Sequence, residues 1–233
     1  MAHIDTWESA GNVHIDMNAA AQTLPYHRCI AALALAHAKP DAKILDLGCG
    51  RGQILGLIKH CEDLKFFAAD AYQSCLDETA QKMPLAGQFL IDEASFNIDK
   101  IITENGFDLI IFSHVLEHLR NPIEALEKTM RLLKPGGILI VAVPNPVRPN
   151  ILISNIFQKH YVNRGHVHAW DMSHWRNFLE RINNLEVIHY AHDFIQIPGC
   201  YRFPILQTLG EILAKIVPWW SFSNIAVIRK GPV

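Results

Sequence analysis

Two groups of residues in this chain have the types and spacing to do chemistry. The first is the run Lys43-Ile-Leu-Asp-Leu-Gly-Cys-Gly-Arg-Gly52, in which an apolar segment passes directly into glycines at alternate positions. Gly48, Gly50 and Gly52 let the backbone turn tightly and approach a bulky ligand without a Cβ in the way. Asp70 closes the next apolar run, Phe66-Phe67-Ala68-Ala69, and there a carboxylate can accept from both hydroxyls of a ribose. Glycine turn and acid in this order predict a nucleoside site. The third glycine falls one place too early for the dinucleotide fingerprint, which would need glycine or alanine where Gln53 stands. A nicotinamide oxidoreductase is therefore a remote alternative. Asp46 and Cys49 have plain readings too: an acid at a strand end that only bonds the loop backbone, and a small residue that only fits the space. Neither is expected to be a nucleophile.

The second group is histidine-rich. His114-Val-Leu-Glu-His118 matches His-x-x-Glu-His, the spacing with which some metallopeptidases place two imidazoles and a carboxylate around zinc. Here it follows a buried strand-like run beginning Phe107-Asp108, which argues against zinc hydrolysis. Further on, His160, His166, His168, Asp171 and His174 are interleaved with Tyr161, Trp170 and Trp175. They read as a polar lid packed by aromatic rings, as contacts to a substrate, or as a metal centre. Without cysteines or a regular helical spacing, no metal is expected.

The elements that must position these residues alternate. Lys43–Gly48, Leu64–Asp70, Gln88–Asp92, Phe107–Ser113 and Gly137–Pro144 are strand-like and apolar on both faces, the pattern of parallel strands covered by helices. Gly52–His60, Tyr72–Lys82 and Asn121–Leu133 read as the helices between them, the last opening on Asn-Pro and closing before Pro135-Gly136-Gly137. After Pro144 the prolines at 144, 146 and 149 predict a long irregular stretch, and Val147–Trp170 reads as a substrate-facing insertion. A helix resumes at Ser173–Arg181. Strands at Leu185–His192 and Asn224–Arg229 flank an amphipathic helix over Phe203–Val217, with Ile205, Leu206, Leu209, Ile212, Leu213, Ile216 and Val217 on one face. That face is expected in the core or capping a substrate pocket rather than on a membrane or partner, because the opposite face is not basic.

Size and charge set bounds on this reading. With 233 residues, one domain is expected: an N-terminal helical cover (1–40), a cofactor-binding core (41–146), and lid or acceptor-side segments (147–172 and 198–220). Half of the residues are apolar, and a net charge of -2 argues against a partner found by bulk charge, such as duplex nucleic acid. Five scattered cysteines without a Cys-x-x-Cys pair suggest neither a disulfide framework nor a zinc ribbon. No export or spanning segment is read, so the expectation is a cytoplasmic protein, monomeric or homodimeric.

From Ile44 to Asn145 the chain closely resembles class I S-adenosylmethionine-dependent methyltransferases, in particular the small-molecule subgroup. The resemblance rests on Ile44-Leu-Asp-Leu-Gly-Cys-Gly50, Asp70, Phe107-Asp108-Leu-Ile, Val115-Leu-Glu-His118 and Leu132-Leu-Lys-Pro-Gly-Gly137. It implies a Rossmann-like, doubly wound α/β sheet, mostly parallel, of seven strands with the last antiparallel, plus the inserted lid. It implies S-adenosylmethionine as cofactor, with the loop glycines and Cys49 at the methionine part and Asp70 with Ala71 at the ribose. Asp92 and the Glu93 backbone would address the adenine amine, Ser113 and His114 would lie over the other side, and Asp46 would orient the loop and reach the cofactor's amino group through water. Asp92 has the alternative of capping a helix after it.

The cofactor carries its own activated methyl, so the protein mainly aligns an acceptor and excludes water. A hydroxyl or protonated amine acceptor also needs a base, for which histidine is suited. His166 and His168 are the first candidates and His118 follows. The expected function is methyl transfer to a small molecule or glycan precursor. RNA or protein methylation, which would call for a basic strip where only Arg148, Lys159 and Arg164 stand, and a non-catalytic cofactor-binding subunit are the alternatives.

Overall fold

The computed structural model describes residues 23–92, 94–101, 106–157 and 165–231. Its frame is a seven-stranded sheet in the order β3-β2-β1-β4-β5-β7-β6. The strands are β1 (Lys43–Leu47), β2 (Lys65–Asp70), β3 (Gly87–Leu90), β4 (Phe107–Ser113), β5 (Leu133–Pro144), β6 (Glu186–Ala191) and β7 (Ser223–Arg229). Strands β1 to β5 pair in parallel, whereas β7 runs antiparallel to both β5 and β6. The expected seven-stranded, mostly parallel α/β sheet and its reversed last strand are both present.

Residue alternation along these strands makes two cores. Leu45, Leu47, Phe67, Ile110, Phe112, Leu139 and Val141 point to one face, where they meet Trp175 and Phe178. Ile44, Phe66, Ala68, Leu109, Ile111, Ile140 and Val227 point to the other, where they meet Ile30, Leu55 and Ile58. Since successive side chains leave a strand on opposite sides, a run apolar at every position must be covered twice. The helices do this: α1 (Pro25–His37), α2 (Gln53–Ile58), α3 (Gln73–Lys82) and α4 (Pro122–Leu132). Helix α4 starts where the sequence predicts, with the Asn121 side chain accepting from the Glu124 N–H and Pro122 in the first turn, where its missing N–H costs nothing.

Three boundaries differ from expectation for identifiable reasons. Strand β5 begins at Leu133 rather than Gly137, because Leu133 pairs with Phe107 before the register shifts and Gly136, at φ 73°, carries the chain through the irregularity. Lys134 is held there by Asp108 at 2.7 Å. The stretch after Pro144 is not wholly irregular: α5 (Pro149–Phe157) forms with proline at its first position, a favourable place that was read as a break. The segment expected as a helix over Ser173–Arg181 starts as α6 (Met172–Arg176), with Asp171 capping the Ser173 and His174 N–H groups, and then widens into a π-helical turn over Asn177–Ile182.

The amphipathic helix is α7 (Pro204–Ile216), and its inward face corrects the expected one. Gly210 and Ala214 are its buried residues, while Ile205, Leu209, Ile212 and Ile216 are exposed. Contact is set by the absent side chain of Gly210, where a Cβ would lie 2.3 Å from the Ile195 carbonyl oxygen. Leu206, Leu213 and Val217, on the Gly210 side, are half-buried. Among the described residues, no helix is long and apolar enough to cross a membrane.

Candidate functional site

The site lies at the carboxyl ends of β1 and β4, neighbouring strands from which the chain winds outward in opposite directions, the place where open α/β sheets bind ligands. On the β1 side, Gly48, Gly50 and Gly52 all have positive φ, at 83°, 50° and 69°. They serve different needs. A Cβ on Gly48 would lie 2.2 Å from Val115 Cγ2 and one on Gly52 would lie 2.7 Å from Thr79 Cγ2, so both let the loop pack against its own protein. At Gly50 a Cβ would meet nothing nearer than Gln53 Oε1 at 3.8 Å, so this is the glycine that leaves a cradle open.

Asp70 anchors the loop from the end of β2. Its Oδ2 accepts from Gly50 N–H at 2.8 Å and its Oδ1 from Tyr72 N–H at 3.0 Å, which orients the carboxylate and leaves acceptor capacity on each oxygen. Ala71 lies between these contacts, half-buried. Burial nevertheless raises the Asp70 carboxyl above its ordinary value, against the pull of those N–H groups. Cys49 is buried beneath the loop, near Thr79, and burial drives its thiol far upward, so it presents backbone rather than a reactive sulfur.

Asp46 differs from the expectation that it orients the loop. The loop is held by Gly48 and Cys49 N–H donating to Ala69 O, together with Asp70, whereas neither Asp46 oxygen accepts a hydrogen bond among the described residues. Its carboxyl is 1 % exposed, and burial with the nearby Asp70 charge pushes it up to about 8. A stranded acid in this position fits the ammonium group of an amino-acid-bearing ligand. Ser113, at the end of β4, likewise has a buried Oγ with no partner among the described residues. Asp92 is exposed, and its Oδ1 accepts from Ser95 N–H at 2.7 Å and Ser95 Oγ at 2.9 Å, so it caps the turn that follows β3. Glu93 lies outside the described residues.

On the β4 side the chain turns sharply at His114, φ 56°, into a single 3₁₀ turn over Leu116–His118. This turn buries Glu117 and directs its carboxylate among imidazoles. Glu117 Oε1 stands 3.7 Å from His114 Nδ1, 3.7 Å from His118 Nε2 and 3.8 Å from His166 Nε2. These distances are too long for hydrogen bonds, and neither Glu117 oxygen accepts one among the described residues. Burial pushes the Glu117 carboxyl up to about 8 and holds the His114 imidazole well below its ordinary range. The segment carrying His166 is pinned in place because the Val167 and His168 N–H groups both donate to Glu117 O, and His118 Nδ1 bonds Gly165 O at 2.9 Å.

Thus two of the expected histidines, His118 and His166, come together with ring centroids 4.8 Å apart, while His168 instead stacks on Trp170 at 5.5 Å. His160 lies outside the described residues, and His174 is an exposed partner of Asp171. The sequence reading missed Glu117 as a site residue, although the His-x-x-Glu-His spacing carried the signal. It also missed an aromatic wall, in which Tyr26 from α1 lies 4.6 Å from His114 and 5.5 Å from a stacked Phe222. No local pattern marks that wall, since its members come from opposite ends of the chain.

The doubly wound sheet, the open glycine cradle and the acid at the end of β2 define a Rossmann-like nucleoside-binding domain of the class I methyltransferase type. The chain belongs to the methyltransferase-domain family, whose model matches residues 19–190. It is 32 % identical over 111 residues to an uncharacterized methyltransferase of Schizosaccharomyces pombe, covering 44 % of this chain and 40 % of that one. It is 28 % identical over 116 residues to the ubiquinone biosynthesis O-methyltransferase of Rickettsia bellii, covering 50 % of this chain and 48 % of the relative. The matches thus span less than half the length of either relative. The fold is shared with the N-methyltransferase NodS of Bradyrhizobium japonicum in complex with S-adenosyl-L-homocysteine, at TM-score 0.56 and 15 % identity over 88 % of this chain and 85 % of that one. S-adenosylmethionine is the cofactor of this family, and the stranded Asp46, the open Gly50 and the Asp70 carboxylate fit it.

Proposed function

We propose that this S-adenosylmethionine-dependent methyltransferase modifies an oxygen of a small-molecule acceptor, held at the Glu117–His118–His166 side of the site. The observation that carries the reading is the convergence of polar groups without partners among the described residues. Asp46, Ser113 and Glu117 are buried at the ends of two adjacent strands, and each has at least one oxygen accepting no hydrogen bond there. Buried polar atoms are ordinarily satisfied, so a cluster of exceptions at a sheet's carboxyl edge marks where ligands complete the structure.

The residues divide by position. Asp46, Gly50, Asp70 and Ser113 would hold the cofactor, with Asp46 facing its ammonium and Asp70 its ribose hydroxyls. When bound, the cofactor supplies a methyl group already activated by a positive sulfur. Tyr26 and Phe222 offer an apolar wall, and Glu117, His118 and His166 offer polar groups to orient an acceptor hydroxyl. Alignment and exclusion of water then do most of what the reaction needs. His166 and His118 are preferred over His168, whose ring is engaged with Trp170. The segments around α5 and α7 would supply the lid.

Of the three residues of the candidate basic strip, Lys159 and Arg164 lie outside the described residues. Arg148 is half-buried, with its guanidinium 4.1 Å over the Phe222 ring. The O-methyltransferase names of relatives acting in ubiquinone biosynthesis and on malonyl-[acyl-carrier protein] support a small acceptor.

The test measures S-adenosyl-L-homocysteine release from S-adenosylmethionine across a panel of hydroxylated and carboxylated small molecules, with transfer RNA and a protein extract as comparison acceptors. Turnover with a member of the small-molecule panel is expected, reduced in Glu117→Gln. Turnover with RNA or protein alone would overturn the acceptor class. Cofactor binding without turnover on any of them would point to the non-catalytic subunit instead.

A further inference from the structure

We propose that Glu117, His118 and His166 form a binding site for one divalent transition-metal ion, with Zn²⁺ as its representative. Their ligand atoms all lie within 4.8 Å of one another, which makes them the only such group of three among the described residues. In a tetrahedral zinc site, bonds of about 2.0–2.2 Å place neighbouring ligand atoms roughly 3.4 Å apart. Glu117 Oε1 stands 3.7 Å from His118 Nε2 and 3.8 Å from His166 Nε2, within a few tenths of an ångström of that spacing, while the ligand atoms of the two imidazoles, within 4.8 Å of each other, would draw together by up to about 1.4 Å on binding.

Three further features favour an ion over a chance cluster. Glu117 is 1 % exposed, and both of its oxygens lack a hydrogen-bond donor among the described residues, although they face imidazoles on several sides. A buried carboxylate without donors is costly unless a cation meets it. The His118 ring is set up as ligating histidines are: Gly165 O can only accept, so Nδ1 carries the proton in their 2.9 Å bond, and in the neutral ring the lone pair sits on Nε2, facing Glu117. Finally, the donors arrive on separate pieces of chain locked to each other, because the Glu117 carbonyl holds the Val167 and His168 N–H groups and so fixes His166 opposite the 3₁₀ turn.

The donor set selects the ion. Two imidazoles and one carboxylate suit Zn²⁺, Fe²⁺, Co²⁺ or Ni²⁺, whereas Mg²⁺ and Ca²⁺ prefer oxygen ligands throughout. Three protein ligands leave at least one position open, the pattern of a catalytic rather than a structural site. The burial gradient agrees: the Glu117 side chain is 1 % exposed, that of His118 10 % and that of His166 20 %, so the cluster opens toward the His166 side. An ion there would polarise and orient an acceptor oxygen, a role that rests on the methyl-transfer reading. Binding of the ion does not. This departs from the sequence expectation of no metal, and the His-x-x-Glu-His spacing contributes in a different way: Glu117 and His118 come from the motif and the third ligand from the segment after α5, with His114 Nδ1 facing the same carboxylate at 3.7 Å.

The test uses the untagged full chain, stripped with chelator and titrated with Zn²⁺ by calorimetry and with Co²⁺ by visible absorption. One equivalent is expected to bind, Co²⁺ giving the d–d bands of a low-coordinate nitrogen and oxygen site that Zn²⁺ abolishes and Mg²⁺ does not. Glu117→Gln and His166→Ala should each weaken binding by on the order of 100-fold, and His174→Ala, at the exposed Asp171 pair, should leave it unchanged. Failure to bind one equivalent, equal competition by Mg²⁺, or wild-type affinity in both cluster variants would each overturn the site. If Glu117→Gln fails to fold, His166→Ala decides alone. Titration of the metal-free protein with S-adenosyl-L-homocysteine separates the two readings: binding retained without any metal uptake sinks the metal site only, and metal uptake without cofactor binding sinks the methyl-transfer reading only.

Discussion

The two ends of this site are built by different means. At the cofactor end, a loop, the strand before it and the strand after it hold each other through backbone N–H groups, with Asp70 and Ala69 as acceptors. At the end proposed to hold the acceptor, the first turn after β4 is completed by residues from α1, from the segment after α5 and from β7, through imidazoles, aromatic rings and one carbonyl. A locally closed loop can receive the same cofactor in many proteins. An end assembled from distant, irregular segments is free to differ in each, which is how one fold serves many acceptors.

Substitutions that act at one end and spare the other would sharpen this contrast. The largest effect is expected for Gly48→Ala, which combines φ 83° with a Cβ 2.2 Å from Val115 Cγ2. A loss of about 3 kcal/mol in chemical denaturation is expected. Adding Val115→Ala should recover only the steric part; full recovery would show that the φ requirement has been overstated. Asp70→Ala should lower affinity for S-adenosyl-L-homocysteine roughly 10- to 100-fold, measured calorimetrically, by removing both a ribose partner and the Gly50 anchor. An unchanged affinity would remove Asp70 from the cofactor site.

In α7, proposed as part of the lid, Gly210→Ala sets a Cβ 2.3 Å from the Ile195 carbonyl and should cost about 2 kcal/mol. It should depress turnover while leaving cofactor affinity intact. If cofactor affinity fell equally, the two ends would not be separable. A smaller effect concerns pH. Burial, and then the Arg28 charge, lowers His27 from 6.5 to about 4, and its Nδ1 accepts the Leu24 N–H at the start of α1. The unfolded chain binds this proton more readily, so its contribution is intact above pH 6.5 and is lost as pH falls toward 4. About 1 kcal/mol should disappear between pH 7 and pH 5.5, and His27→Gln should flatten that slope in denaturation curves. Smallest of all, Ile212→Ser on the exposed face of α7 should change stability by no more than about 0.5 kcal/mol. A larger loss would mean that this face is covered in solution.

Legibility followed the same division. Phe107–Ser113 was readable to the residue as a strand, because a run apolar at every position and flanked by polar residues has few alternatives in an α/β chain. Gly48, Gly50, Gly52 and Asp70 were readable as a group, because their roles depend on backbone conformation and short-range order. Asp46 was read as orienting the loop, and only the folded chain shows that Ala69 and Asp70 already accept from the N–H groups of Gly48, Cys49 and Gly50. Helix α5 was overlooked because proline both ends helices and begins them. The face of α7 was misread because the helix is apolar on opposite sides, and glycine at position 210 decides which side can approach Ile195.

The sequence by itself determined the parallel strands, their two-sided burial and the glycine loop with its acid, because each depends on the period of the strand or on what a residue without a Cβ permits. Only the tertiary structure decided that His166 is brought beside Glu117 and His118, and that Tyr26 meets Phe222. These contacts join segments with no local relation to one another, and their distances follow from how the helices and the β6–β7 pair dock on the sheet rather than from any spacing along the chain.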